Sequence, residues 1–448
     1  AFGDGKVLPM CREGSTHTPD PELMARMQWQ LFSKGMRGYA TFCMQEFGWG
    51  ELTKFGLQSP TDDMAPSPKL AAIGDNYRAL NQMSHVLSPA KRSAATKKAA
   101  IYYSPVCLAL TEKPYCSLFD TGPDNFIRVY EIMRACGYDV TFVTDRQILS
   151  KPEWLADIGA IFLIDATYVP KAVQQKLMDW VEKGGHIVAD AQSCSRDGHG
   201  FDTPVFTEWL GIRPVQQKKM NENETAGKLA FGYSAYSFDV INRDEIWKTA
   251  VELKDTPYST HPISKMVGKA MWSCLGYVEV KCLDGDVVMS ENNGRPAWMI
   301  RKHGKGTSSY FAGYLGSSYG AGCTRLEWSD THADYSVFRF MDAYLKWIGL
   351  KPLAVCDLPG NLKYGMRFEP PLVDHRGNAA MGITSQNRGP VDSFRVKYQM
   401  PENFKAPKMC LALVNGTRRV VEVPFSFDKK TRELSVRMPG FRVWGELL

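Results

Sequence analysis

Residues 45 to 56, "QEFGWGELTKFG", place Glu46, Trp49, Glu51 and Lys54 in one short stretch, directly after the apolar run "GYATFCM" (38–44). A run of that kind reads as a buried strand, so the acids and aromatics fall on the loop that leaves its end. Carboxylates accept hydrogen bonds and an indole offers a flat apolar face, a furnishing suited to a polar ligand. The plainer outcome is an exposed ion pair between Glu51 and Lys54, three positions apart. The glycine-rich "GYLGSSYGAG" (313–322) lacks the G-K-[ST] ending of a phosphate loop and reads as a turn-rich strand exit. Eleven cysteines form neither a C-x-x-C pair nor a tight Cys/His cluster. No zinc site is therefore expected, the thiols read as reduced, and no cofactor is implied.

The elements that position these residues follow from pattern. At 448 residues the chain should hold two to four domains. With 44% apolar and 23% charged residues it has the composition of a globular protein with ample core. No apolar run approaches the roughly 18–20 residues that cross a bilayer, so no membrane span is expected. The net charge of +6 is mild and dispersed, and the basic run "AKRSAATKK" (90–98) reads as a solvated linker rather than a nucleic-acid patch.

Ahead of the opening stretch, "HTPDPELMARMQWQLFSKG" carries helix signals. Asp20 can cap, Pro21 suits the first turn, Glu22 favours the positive end of the dipole, and Gly35 stops the helix. Leu23, Met24, Met27, Leu31 and Phe32 recur at helical spacing. A second helix is predicted over 67–87, with no strand other than 38–44 before residue 99. One buried strand needs partners. Residues 1–96 therefore read as the tail of a domain whose earlier strands are absent. A chain opening on Ala1 fits a removed leader or a start inside a longer protein.

From residue 97 strands and helices alternate. "KAAIYYSP", "YDVTFVTD", "IGAIFLIDA" and "HIVADA" are strands; "PDNFIRVYEIMRACG" and "VPKAVQQKLMDWVEKGG" are helices. Such βα units imply a parallel sheet covered on both faces. "YVEVKC", "DVVMSE", "AWMIRKH" and "GTSSYFAGY" are expected as an antiparallel extension, closed by a helix near 333–348. Beyond Pro352 the helical periods vanish. Six short segments from "AAMGITSQ" to "FRVWGELL" predict an antiparallel β-sandwich of about a hundred residues.

These segments carry a resemblance. "TPDPELMARMQWQLFSKGMRGYATFCMQEF" resembles the last βα unit of the barrel in glycoside hydrolase family 42, the β-galactosidase family, with "GMRG" (35–38) at the turn. "IGAIFLIDATYVPKAVQQKLMDWVEKGGHIVADAQS", "TPVFTEWLGIRP" and "GKGTSSYFAGYLG" are similar to its trimerisation domain, and "LALVNGT" to its closing β domain. The resemblance implies a (β/α)8 barrel remnant over 1–96, a flavodoxin-like α/β trimerisation domain over 97–350 and a β-sandwich over 351–448. It implies one portion of a retaining glycoside hydrolase acting on an oligosaccharide or polysaccharide, assembled as a homotrimer, with no nucleic acid, metal or cofactor involved.

Active sites of such barrels lie at the C-terminal strand ends. Residues 45–56 would then wall the sugar pocket, with Glu51, Lys54 and Trp49 as substrate-binding residues. The family shows a Trp, then a Glu and a His three apart that hold galactose hydroxyls. Here Met44 stands at the Trp position, Glu51 is retained, Lys54 replaces the His, and Trp49 offers a stacking platform. The two catalytic glutamates of the family would precede Ala1; Glu46 and Glu51 are on the wrong strand for either role, so no catalytic residue is assigned in this chain. The middle segment also resembles the class I amidotransferase fold, whose nucleophile is a Cys on a sharp strand-to-helix turn. Cys194 in "ADAQSCSRDGHG", with His199 nearby, occupies such a place, but the G-x-C-x-G elbow is absent. A non-catalytic trimerising module with an accessory carbohydrate-binding role is the reading from the other functional class.

Overall fold

A computed structural model describes residues 21–36, 68–110, 121–191, 193–214, 250–253, 261–267, 270–273, 278–291, 294–316, 336–387, 389–417 and 419–448. It divides into two compact units: Lys97–Lys351, and Ala1–Thr96 together with Pro352–Leu448. The predicted segments 1–96 and 351–448 thus fall in one unit.

Helices α1 (Pro21–Ser33) and α2 (Pro68–Leu87) form where the spacing places them. Gly35, at φ +90°, ends α1 in the left-handed region that favours glycine. Strand 38–44 lies outside the described residues. Lys91–Arg92 form a short strand, β1, with both side chains exposed. This corrects the expectation of a mere linker at 90–98 and of no further strand before 99. Two charged residues carry no apolar alternation, so an edge strand of this kind leaves no signal in the sequence.

The unit 97–351 contains α3 (Pro105–Leu110), α4 (Thr121–Ala135), α5 (Asp145–Ser150), α6 (Lys171–Glu182), α7 (Pro204–Trp209), α8 (Pro262–Val267) and α9 (Ser336–Trp347). Its parallel strands are β2 (Lys98–Tyr102), β3 (Val140–Val143), β4 (Ile158–Leu163) and β5 (His186–Asp190). The remaining strands are β6 (Ile212–Pro214), β7 (Ala250–Leu253), β8 (Ala270–Ser273), β9 (Val280–Cys282), β10 (Asp286–Glu291), β11 (Pro296–His303) and β12 (Gly306–Phe311).

The main sheet runs β3-β2-β4-β5-β12-β11-β10-β7-β8. Two expected extension strands behave differently. β12 joins β5 in parallel before the antiparallel part begins at β11. β9 leaves the main sheet and pairs with β6. The core is built as the apolar runs demand: every residue of β4 is buried, and α6 contributes Val173, Leu177 and Val181. Burying side chains of this size stabilises by about 1.5–3 kcal/mol each. The turn after α6 needs both of its glycines. Gly184 sits at φ +113°, and a Cβ on Gly185 would collide with the Trp180 ring.

In the other unit the C-terminal strands are β13 (Ala354–Cys356), β14 (Met366–Phe368), β15 (Leu372–Val373), β16 (Ala379–Ser385), β17 (Phe394–Gln399), β18 (Leu411–Val414), β19 (Val421–Glu422), β20 (Phe425–Asp428), β21 (Glu433–Met438) and β22 (Trp444–Leu447). One sheet runs β1-β15-β16-β22-β18-β19, with β14 also on β16; the other runs β13-β17-β21-β20. "RRVVEVPFSF" splits between them at Pro424, which has no N–H for a ladder. β17 alternates strictly, with Phe394, Val396 and Tyr398 buried and Arg395 and Lys397 exposed. One apolar core joins Met381, Ile383 and Ala412 of the first sheet to Val396, Leu434 and Val436 of the second.

Helix α1 lies against β16 of this unit. The approach is close enough that a Cβ on Gly382 would collide with Ser33 Oγ. Trp29 stacks on Trp444 at 3.5 Å between ring centroids. From α2, Asn76 accepts from Trp444 Nε1 at 2.9 Å and donates to Gln28 Oε1 at 2.9 Å.

Candidate functional site

Trp49, Glu51 and Lys54, with Met44 and Glu46, lie outside the described residues. What is described is the helix that precedes them and the strand ends of the other unit, where doubly wound sheets bind ligands. Chain order gives β2, then β3 on one side and β4 on the other, so the switch point falls between β2 and β4.

The residues at that point bond to one another. Tyr102 Oη and Ser104 Oγ both donate to the carboxylate of Asp145, the second at 3.0 Å. Asp145 opens α5, whose Thr144–Gln147 capping box fixes its start. Burial, then the Asp145 charge, raise the Tyr102 pKa, so the phenol stays a donor. The neighbouring strand ends meet at Asp190, which is fully buried. Its Oδ1 accepts from Asp165 N at 2.7 Å and Ser193 Oγ at 3.0 Å; its Oδ2 accepts from Leu315 N and Asn125 Nδ2, both at 3.0 Å. Burial pushes the Asp190 carboxyl upward and these four donors oppose it. Burial is the larger influence, so the net shift is upward. The cluster ties β4, the turn after β5, the exit of β12 and α4 together; it offers no open base.

Cys194 sits on a turn at φ +63°, the left-handed conformation of a sharp elbow. Its surroundings are those of a structural residue. The thiol is fully buried, its backbone N donates to the Ala166 carbonyl at 2.8 Å, and its own carbonyl accepts from Thr203 Oγ1 at 2.8 Å. Burial, with Cys107 and Asp190 next, pushes the Cys194 thiol well above its ordinary pKa, the opposite of an activated nucleophile. His199 is exposed, with its backbone N bonded to Asp197 Oδ1. The two residues are not brought together as nucleophile and base.

The second buried acid, Glu446 on β22, lies under α1. Its Oε2 accepts from Trp29 Nε1 at 3.0 Å and Ser33 Oγ at 3.1 Å, two residues one helical turn apart. Its Oε1 has no hydrogen-bond partner among the described residues. Burial is the main force on it, opposed by Ser33 and Trp29 and reinforced by Glu369; the pKa is pushed up to about 8. Sequence reasoning missed both acids. Each had a faint signal, a carboxylate closing the apolar run in "HIVAD" and one set inside the strand in "WGELL". Among the described residues no group of three His, Cys, Asp or Glu could hold a metal, and no helix is long and apolar enough to cross a membrane.

No protein-family model matches the sequence, and no curated protein matches it. Solved structures do. A catalytic mutant of Gan42B, a family-42 β-galactosidase from G. stearothermophilus, superposes with a TM-score of 0.57 at 13% identity, over 94% of this chain and 51% of that one. A cold-adapted β-galactosidase from Rahnella sp. R3 gives a TM-score of 0.61 at 13% identity, over 99% and 53%. An α-L-fucosidase isoenzyme from Paenibacillus thiaminolyticus gives 0.57 at 11% identity, over 95% and 57%. The chain spans about half the length of the solved structures it matches. The likeness is one of fold: an α/β plus β architecture of the kind these glycosidases have.

Proposed function

We propose that this chain is the C-terminal portion of a retaining glycoside hydrolase resembling the β-galactosidases of family 42. The observation that carries the reading is the likeness in fold to β-galactosidases, one of them described as of family 42, over 94–99% of the chain. Under this reading residues 1–96 end a (β/α)8 barrel, 97–350 form a homotrimerisation domain, and 351–448 are a structural β domain. The bond-breaking carboxylates, about 5–5.5 Å apart in a retaining enzyme, belong to residues other than these.

The chain's own contribution is to hold the sugar. Glu51 accepts hydrogen bonds from hydroxyls, and Trp49 covers an apolar sugar face. Lys54 offers donors only, on a point charge, and charge-assisted bonds to anionic oxygens are about twice as strong as neutral ones. The substrate is therefore a galactoside or a related oligosaccharide bearing a carboxylate or sulfate near the sugar bound by Glu51. The test compares neutral and acidic oligosaccharides on the complete gene product and its Lys54→His variant. A shift of selectivity toward neutral substrates in the variant is expected; unchanged selectivity overturns the assignment of Lys54. Light scattering tests the trimer, and a monomer at micromolar concentration contradicts it.

The closed strand ends of the unit 97–351 favour one further point. Asp190 is enclosed and Cys194 buried, so neither serves as an open base or nucleophile at these strand ends, which agrees with a role in assembly and equally with a non-catalytic, carbohydrate-binding module. Hydrolysis by the complete gene product separates the two readings.

A further inference from the structure

The positive charge that is spread thinly along the sequence is gathered in space at one end of the β-sandwich. Three turns meet there: 374–378 between β15 and β16, 401–408 after β17, and 428–432 between β20 and β21. Strand β1 lies beside β15 at the first of them. Arg432 draws the second and third together, its guanidinium donating to the carbonyls of Met400 at 3.3 Å, of Pro401, and of Phe404 at 2.8 Å. Lys405 N donates to the Gly377 carbonyl at 3.2 Å, and Asn403 Nδ2 to Ser93 Oγ, just past β1, at 3.0 Å. These turns and β1 hold eight Lys and Arg against three Asp and Glu, an excess of five in 20 residues. The excess over all 448 residues is six. Two of the acids are engaged by the turns themselves. Asp374 Oδ1 accepts from Arg376 N and Asn378 N at 2.8 and 2.9 Å, and Asp428 Oδ1 from Lys430 N at 2.7 Å. The cations are not engaged: Lys91, Arg376, Lys405, Lys408, Lys429 and Lys430 are exposed and form no ion pair among the described residues. Elsewhere in the same unit Lys397 pairs with Glu433 at 2.9 Å.

We propose that this end of the β-sandwich binds an acidic polysaccharide through sulfate or carboxylate groups repeated along the polymer. A single exposed charge attracts an anion weakly in water, so the face suits a partner that presents many anions at once. Screening at physiological salt acts over about 8 Å, so charges on turns joined by hydrogen bonds add in the field that such a partner meets. Five of the six exposed cations are lysines, hydrated point charges that take sulfate or carboxylate without fixed geometry. The face therefore holds the polymer rather than reading one sugar. No Phe, Tyr or Trp is exposed on these segments, Phe404 being buried, so unpaired bases would find no stacking platform. The choice of a glycan among polyanions rests on the function proposed above; the electrostatic argument does not. The β domain then has a role besides support, which is to keep an acidic substrate close to the enzyme.

The experiment measures binding of the full chain to dextran sulfate, polygalacturonate, neutral dextran and a DNA duplex, each fluorescently labelled, from low to physiological salt. Two triple variants with the same change in net charge are compared. One carries Lys405→Glu, Lys429→Glu and Lys430→Glu on the face. The other carries Lys176→Glu, Lys183→Glu and Lys305→Glu, exposed positions of the unit 97–351 near the equally exposed Asp179 and Glu182. Both acidic polysaccharides should bind, more weakly as salt rises, and neutral dextran should not. The face variant should weaken binding by about tenfold or more, as loss of several ionic contacts to a polyanion does, and the control variant should match the wild type. Because the wild-type panel needs no substitution, a variant that folds poorly does not shield the proposal. Binding of neither acidic polysaccharide, equal weakening in the two variants, or tighter binding to the duplex than to either polysaccharide overturns it. Hydrolysis is not read in this assay. A failure here therefore leaves the proposed glycosidase standing, and an inert complete gene product leaves the binding result standing.

Discussion

Glu446→Gln should remove a pH dependence that this one carboxyl imposes on the unit built from α1, α2 and the C-terminal sheets. An unfolded glutamate ionises near 4.5, whereas burial, against the bonds from Ser33 and Trp29, pushes Glu446 up to about 8 in the fold. Below pH 4.5 both states are protonated and stability is full. Between 4.5 and 8 the unfolded chain releases a proton that the fold retains, so stability falls by about 1.4 kcal/mol per pH unit. The loss reaches about 3 kcal/mol at pH 7 and, once the folded group has ionised too, levels off on the order of 5 kcal/mol. Glutamine keeps a carbonyl oxygen to accept from Trp29 Nε1 and Ser33 Oγ, and does not titrate. The assay is urea unfolding of both proteins from pH 4.5 to 9, followed by near-ultraviolet circular dichroism, to which the stacked Trp29–Trp444 pair contributes. The variant's advantage should grow from near zero at the acid end to several kcal/mol at pH 9. Parallel stability profiles for the two proteins would refute the reasoning.

Three further outcomes are expected. Trp29→Ala removes the stack on Trp444 and one of the two bonds to Glu446, and should cost about 3–5 kcal/mol in the same urea assay; a loss under 1 kcal/mol contradicts the role given to α1. Asp190→Ala strands the donors of Asp165, Leu315, Asn125 and Ser193, each costing about 1–3 kcal/mol when left unpaired, so thermal unfolding should show a drop of many degrees or no folded protein. Burial, helped by Lys97 beside His186 and Arg301 beside His303, lowers both imidazoles to about 4. Their contribution to stability is complete above pH 6.5 and is lost as pH falls through 4; NMR titration of either ring near 6.5 would contradict the packing.

Periodic segments were legible because their signal is local. The helix over 171–182 announced itself by Val173, Leu177 and Val181 and by the two glycines after it, and β17 by its strict alternation. Partner choice was not legible. "GTSSYF" has no local feature that distinguishes a parallel neighbour from an antiparallel one, and its pairing with β5 depends on a residue run more than a hundred positions away. The same holds for α1. Its span was readable but its buried face was not. Of Leu23, Met24, Met27, Leu31 and Phe32 only Phe32 is buried and Met27 is exposed, because Ala25, Gln28, Trp29 and Ser33 are the ones turned inward. That Trp29 would meet Trp444 and Glu446, more than four hundred positions on, belongs to tertiary structure. For Cys194 the missing glycine elbow weakened the catalytic reading, and burial of the thiol with His199 exposed supplies the physical reason against it.

The function proposed for these residues is service to a glycoside hydrolase whose bond-breaking carboxylates lie elsewhere. The most direct measurement is hydrolysis of a panel of aryl glycosides, galactosides among them, by the complete gene product and by residues 1–448 alone. Turnover by the complete product and none by residues 1–448 is the predicted result. A complete product inert toward every glycoside, or turnover by residues 1–448 that disappears in Glu46→Gln or Glu51→Gln, would contradict it.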